Sequence, residues 1–230
     1  GPNDRVTIAD LESEKAIVDI IKGQFPEHNI LAEEAKYEKT DSEYRWIIDP
    51  LDGTNNFSHG MPFFCCSIAL EKSNELILGV VFDPIRKELF LAEKGKGSTL
   101  NGKKINVSKN KDMNDCLLIA GFHYNRGTPV LRSLVNIKHF FLNGILGIRR
   151  LGSAALDLCN IACGRADGFW ELYLHEWDFA AGKLIIEEAG GKTSNMAGEG
   201  LKMRPGYVVA SNSLIHRVMI NILNKNNQLP

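Results

Sequence analysis

Apolar residues recur along the chain in two rhythms. In "TIADLESEKAIVDIIKGQFP" (residues 7–26), Ile17, Ile20, Ile21 and Phe25 fall near one face at helical spacing. Pro26 marks a stop, so the pattern predicts an amphipathic helix. Thr7 and Asp10 stand at the spacing of a capping box. Short apolar runs in "HNILAEE" (28–34) and "YRWIID" (44–49) predict two strands. From residue 63 to about 100 the chain alternates, broken at Ser73-Asn74, Asp83-Pro84, Gly95 to Gly97 and Asn101-Gly102. That predicts an antiparallel meander.

The second half mixes both rhythms. "PVLRSLVNIKHFFL" is helix-like and "GILGIRRLG" strand-like. "SAALDLCNIACG" predicts a helix with Ser153 as N-cap and Gly164 as stop. "ADGFWEL" predicts a strand. "WDFAAGKLIIEEAGG" predicts a helix capped by Asp178 and ended by Gly190-Gly191. "YVVASN" predicts a strand, and "SLIHRVMINILNK" a last helix capped by Ser213. The order of elements predicts a mixed α/β chain with helices covering sheets.

The stretch "IIDPLDGTNNF" (47–57) carries the chemistry. Pro50 has no N–H for a ladder, so the strand is expected to end at Asp49. Gly53 allows a sharp turn, and Asp49 and Asp52 would then point into one space beyond the strand. On these residues alone, an ordinary Asp-Pro-x-Asp-Gly turn is the simpler reading. Company changes that. Glu33 and Glu34 follow another apolar run, and Asp178 opens an apolar helix. Buried carboxylates repel unless paired, and a hard divalent cation such as Mg²⁺ resolves the conflict through oxygen ligands.

Other chemistries find no support. The six histidines show no zinc spacing. There is no phosphate-loop motif, dinucleotide fingerprint or G-x-S-x-G elbow. Across 230 residues, 27 Lys and Arg balance 28 Asp and Glu, which gives no electrostatic footprint for nucleic acid, a transcription complex or an anionic membrane. The apolar runs are too short for a membrane span. Five cysteines, an odd number without metal or redox spacing, point to a reducing cytoplasm.

The two longest motifs, "WIIDPLDGTNNF" and "EWDFAAGKLIIEEAGG", resemble the signatures of the inositol monophosphatase family, Mg²⁺-dependent, lithium-sensitive phosphomonoesterases. "FPEHNILAEEA", "GVVFDPIRKELFLAEKGKGSTLNGKKI" and "RRLGSAALDLCNIACGRADGFWEL" extend the resemblance, in order, from about Val6 to Asn212. The wording is most similar to the bacterial, extragenic-suppressor branch. The resemblance implies a single domain over 1–230, with subdomains of about 1–118 and 119–230. It also implies a layered αβαβα sandwich, with an antiparallel sheet in the first half and a second, mixed sheet in the other.

The resemblance also implies roles. Glu33, Asp49 and the Leu51 carbonyl would hold one Mg²⁺; Asp49, Asp52 and Asp178 a second; Glu33 and waters a third. Asp10 and Thr54 would orient the attacking water, with Glu33 also in the catalytic set. Gly53 and Thr54 would face the phosphate, beside Asp52 and Asp178. Gly152, Ser153, Ala154 and Glu171 would contact a hydroxylated ring. The implied partners are a phosphorylated polyol, foremost an inositol monophosphate, and a second copy in a homodimer. Fructose 1,6-bisphosphate, 3′-phosphoadenosine 5′-phosphate and histidinol phosphate are the substrates of relatives, though "DGTNNF" fits the inositol wording better than "DGTKEF". A regulatory binding protein that keeps the scaffold is the reading from another class. The sequence departs from the family at Ala32, where glycine is usual. Only nine residues precede Asp10, where the family has a long helix and hairpin, and the loop around 123–129 is short.

Overall fold

In the computed structural model, residues 6–122 and 127–225 are described, so residues 123–126 of the short loop lie outside them. Five layers stack. Helix α1 (Ile8–Gln24) lies on a seven-stranded sheet. Its strands are β1 (Asn29–Ala32), β2 (Tyr44–Asp52), β3 (Cys65–Lys72), β4 (Glu75–Asp83), β5 (Glu88–Glu93), β6 (Gly97–Leu100) and β7 (Lys103–Lys104), in sequential order. Helices α4 (Ala154–Ala162) and α5 (Glu176–Glu188) fill the middle layer. The second sheet holds β8 (Leu117–Ala120), β9 (Gly147–Arg149), β10 (Gly168–Leu174), β11 (Lys192–Ser194) and β12 (Gly206–Ser211), in the order β11-β12-β10-β8-β9. Helices α3 (Thr128–Leu142) and α6 (His216–Asn224) pack together outside it. The αβαβα expectation holds.

The largest core cluster joins the inner face of the first sheet (Ile47, Ala69, Val81, Phe90) to α4 and α5 and on to Phe169 and Ala210 of the second sheet. A second cluster lies between the second sheet and α3 and α6, around Phe140, Trp170 and Met219. Contact between the first sheet and the middle layer is close. A Cβ placed on Gly79 of β4 would sit 2.8 Å from the Ala181 carbonyl oxygen of α5.

The fold corrects several sequence expectations. The first sheet is not wholly antiparallel, because β1 pairs parallel with β2 across the crossover between them. The buried face of α1 is Asp10, Glu14, Val18 and Ile21, whereas Ile20 is 65% exposed and Phe25 41% exposed. Two carboxylates take part of the face that spacing assigned to apolar residues. Asp178 caps α5, though not as its flanking residue: its side chain accepts from the His175 amide in a capping box. It sits in the first turn, and His175 is the N-cap. Ser213 does not cap α6: Asn212 Oδ1 accepts from the amides of Leu214 and Ile215, and the Ser213 hydroxyl donates to the Gly190 carbonyl. The capping roles of Thr7–Asp10 and Ser153 hold.

Strand β2 does not stop at Asp49. It runs through Pro50 to Asp52, with Asp49 opposite Ser67 and Asp52 opposite Cys65. Two residues, Pro50 and Leu51, therefore oppose the single Cys66. This is a bulge, where a proline costs no ladder hydrogen bond. The bulge also answers a geometric problem. In a regular strand, residues three apart point to opposite faces. Ser67 and Cys65 are two apart and share a face, so the extra residue puts Asp49 and Asp52 on the same side of the sheet.

A buried carboxylate site at the end of the first sheet

Four elements bring acids to this place. Glu33 follows β1, Asp49 and Asp52 flank the bulge, Asp178 lies in the first turn of α5, and Asp10 lies in the first turn of α1. Gly53, at φ +97°, turns the chain into the short helix α2 (Thr54–Ser58). A Cβ there would lie 3.1 Å from the Phe63 carbonyl and 3.3 Å from that of Gly152, so the turn also packs against the start of α4.

Hydrogen bonds divide the acids into pairs and anchors. Buried Asp10 accepts from the Thr7 amide (2.7 Å) and, through Oδ1, from the Thr54 hydroxyl (2.9 Å), which also lies 3.0 Å from the Leu51 carbonyl. Asp49 and Glu33 lie close enough for each to shift the other's pKa. Asp49 Oδ1 also accepts from the Leu51 amide at 3.0 Å. Asp52 sits at the N-terminus of α4. Its Oδ2 accepts from the Ser153 hydroxyl (2.6 Å) and the Ala155 amide (2.7 Å). Asp178 Oδ2 accepts from the His175 amide at 2.6 Å.

These acids are held well above the ordinary carboxylate range. Burial and then the charge of Asp178 push Glu33 up to about 8. Burial, Glu33, Asp52 and Asp178 raise Asp49. Burial raises Asp52 against the opposing Ser153 and α4 amides, and burial with Asp52 raises Asp178. Among the described residues, no cation is among the leading groups that shift these four. Such a set of oxygen donors, short of positive charge, has the chemistry to fit a hard divalent ion. Among the described residues no three His, Cys, Asp or Glu side chains already close around one point. Asp52 and Asp178 each give an oxygen to their helix start.

The positions expected to meet a ring also come to this end of the molecule. Gly152, Ser153 and Ala154 lead into α4 beside Gly53. Glu171 on β10 lies against Gly121, and burial pushes it up to about 8, with Arg150 opposing and Asp52 adding.

Sequence reasoning missed four neighbours. Glu14 is 2% exposed on α1, one turn beyond Asp10, and its i, i+4 spacing from that acid was the available signal. Ser13 Oγ donates to the Pro50 carbonyl at 3.0 Å. Asn56 donates to the carbonyls of Phe63 and Leu151, each at 2.8 Å, and so ties α2 to the α4 approach. Asp157 is buried inside α4, with Asp52 and Glu171 raising its pKa after burial itself. Phe57 is 37% exposed and meets Phe64 edge to face.

Comparison with known proteins agrees with this architecture. The model of the inositol monophosphatase family matches residues 1–228. Nus factor SuhB of Escherichia coli (strain K12) is 41% identical over 96% of this chain and 82% of its own length. Inositol-1-monophosphatase of Rhizobium meliloti is 41% identical over 98% of this chain and 85% of its own. The crystal structure of extragenic suppressor protein suhB from Bartonella henselae superposes with a TM-score of 0.93 at 40% identity, over 98% of this chain and 87% of that one. A structure of an IMPase/NADP phosphatase complexed with Mg²⁺ and phosphate gives a TM-score of 0.87 at 25% identity, over 99% and 85%. The chain belongs to the inositol monophosphatase family.

Proposed function

We propose that this chain hydrolyses a phosphate monoester, with inositol monophosphate as its substrate, by direct attack of water and with no covalent intermediate. The observation that carries the reading is the bulge that sets Asp49 and Asp52 on one face, beside the hydrogen-bonded Asp10–Thr54 pair. In this reading Glu33, Asp49 and the Leu51 carbonyl hold one Mg²⁺, and Asp49, Asp52 and Asp178 a second, with Glu33 and waters taking a third. Bound Mg²⁺ supplies positive charge that lowers the pKa of water and offsets charge on the leaving oxygen.

The chain's own residues do the rest. The Asp10 carboxylate fixes the Thr54 hydroxyl, whose oxygen is left to accept from a water and aim it. The amides of Gly53 and Thr54, at the start of α2, face the phosphate. Ser153 and the α4 amides hold Asp52 in place. Gly152, Ser153, Ala154 and Glu171 border the space for the substrate's hydroxyl groups. No side chain needs to act as nucleophile.

The test is phosphate release from a panel of inositol monophosphate, fructose 1,6-bisphosphate, 3′-phosphoadenosine 5′-phosphate and histidinol phosphate at fixed Mg²⁺, with lithium as the inhibitor control. Inositol monophosphate should be turned over fastest. Asp49→Asn and Asp178→Asn should each abolish release while far-UV circular dichroism stays unchanged. Activity surviving either change would remove the two-ion assignment.

The name Nus factor SuhB on a relative 41% identical favours a second reading, in which the same scaffold also acts by contact with another macromolecule. A stoichiometric partner retained through co-purification would support it.

A further inference from the structure

Helix α1 touches the site at three places through one face. Asp10 accepts from Thr54 of α2, Ser13 donates to Pro50 of the bulge, and Glu14 reaches the segment that follows β1. Positions 10, 13 and 14 are neighbours on a helix surface, so one rigid element spans all three. The Glu14 contact is the most heavily built. Its Oε2 accepts from the Glu34 amide at 2.9 Å. Its Oε1 accepts from the Ala35 amide at 3.0 Å and from the Tyr37 hydroxyl at 2.9 Å. The residue is 2% exposed. A carboxylate buried so deeply is costly unless its lone pairs are filled, and here two backbone donors and a phenol fill them. Burial and this bond push the Tyr37 phenol up to about 12, so it stays a donor.

What is fixed is Glu33. Strand β1 ends at Ala32, and residues 33–39 lie outside any sheet ladder. The amide of residue 34 belongs to the same peptide plane as the carbonyl of residue 33. Holding the amides of residues 34 and 35 therefore sets the backbone from which the Glu33 side chain projects. Loops carrying functional groups are the parts of a fold most free to move, unless something ties them down.

We infer that Glu14 is a positioning residue for Glu33, and that α1 sets the spacing between the Glu33 end of the site and the Asp10–Thr54 pair. The inference rests on the reading above, in which Glu33 holds Mg²⁺. Glu14 touches no reacting atom. It acts through the peptide it grips, as groups behind metal ligands do.

The experiment is a Mg²⁺ titration of the full chain by isothermal calorimetry. It is run on the wild type, Glu14→Gln, Tyr37→Phe, Glu33→Gln and the double variant Glu14→Gln/Glu33→Gln. Thermal midpoints are taken without Mg²⁺, and kcat and the Mg²⁺ KM are measured in parallel. Glu14→Gln keeps the shape and loses the charge and part of the accepting capacity. It should raise the Mg²⁺ Kd by about ten-fold or more. The Mg²⁺ KM should rise with it, while kcat at saturating Mg²⁺ changes little. Tyr37→Phe removes one of three bonds and should give a smaller rise in a protein that still folds; it decides the matter if Glu14→Gln does not fold. The double variant should bind no worse than Glu33→Gln alone, because Glu14 acts only through Glu33.

A lower thermal midpoint with an unchanged Mg²⁺ Kd in both Glu14→Gln and Tyr37→Phe would overturn the inference and leave a structural anchor. Additive losses in the double variant would overturn it too. If Glu33→Gln itself binds Mg²⁺ like the wild type, the assignment of Glu33 to the ion fails, and this inference falls with it. That outcome is distinct from a failure at Glu14 alone.

Discussion

At the scale of the residue, the site is governed by which oxygen each donor satisfies. The Thr54 hydroxyl donates at 2.9 Å to Asp10, 44 positions earlier, so removing either end breaks the bond and leaves Asp10 to the Thr7 amide or the hydroxyl to the Leu51 carbonyl. Asp10→Asn or Thr54→Val should lower kcat for phosphate release by about a hundred-fold or more, the scale of a lost proton-handling group. Mg²⁺ binding by calorimetry should stay close to wild type, since neither side chain belongs to the proposed ligand set. An equal loss of Mg²⁺ affinity would place the pair among the ligands instead. The contrast with Asn56 is instructive. Its two bonds at 2.8 Å join three segments without touching an acid, and nothing in "TNNF" distinguishes it from Asn55. A side-chain amide can cap, bridge or face water, and the choice depends on chain that lies 95 positions away.

At the scale of the element, close approach decides more than apolar content. Gly79→Ala would force a methyl group against the α5 backbone, which cannot rotate aside, 2.8 Å from a carbonyl oxygen. The variant should lose about 1–3 kcal/mol, as overpacked cores do, and urea unfolding would read this as a lower midpoint at unchanged slope. Much at this scale was legible in sequence. The meander, α3, the limits of α4 and the body of α5 follow from period, cap and glycine stop. The misses have physical causes. Strands β8 and β11, of four and three residues, are too short to display a period. The face of α1 was misassigned because Asp10 and Glu14 are buried with their bonds filled, and spacing rules count any acid as outward. Strand β2 was cut at Asp49 because a proline stops a regular ladder, and a bulge is invisible until its partner strand is known.

At the scale of the whole molecule, the outer helices are fastened by buried polar groups as well as by apolar contact. His216 at the start of α6 is 3% exposed, with Nε2 2.8 Å from the Ser194 hydroxyl and Nδ1 2.9 Å from that of Ser211. Burial, aided by the charge of Lys192, pulls its pKa from the ordinary 6.5 down to about 4. The folded value lies below the unfolded one, so this contribution is complete above about pH 6.5. It is lost as pH falls from there toward 4, where only the unfolded chain takes up the proton. Urea midpoints at pH 7.5 and 4.5 should therefore differ less for His216→Gln than for the wild type; equal differences would assign the pH dependence elsewhere. The bulge in β2 has a consequence of another kind, for how such a chain can diverge. Its length and its irregularity are linked: three residues apart, the two acids share a face only while the ladder stays uneven, and a residue deleted between them would restore an even ladder with the acids two apart and still on one side. Within this stretch the number of residues and the bulge can change only together.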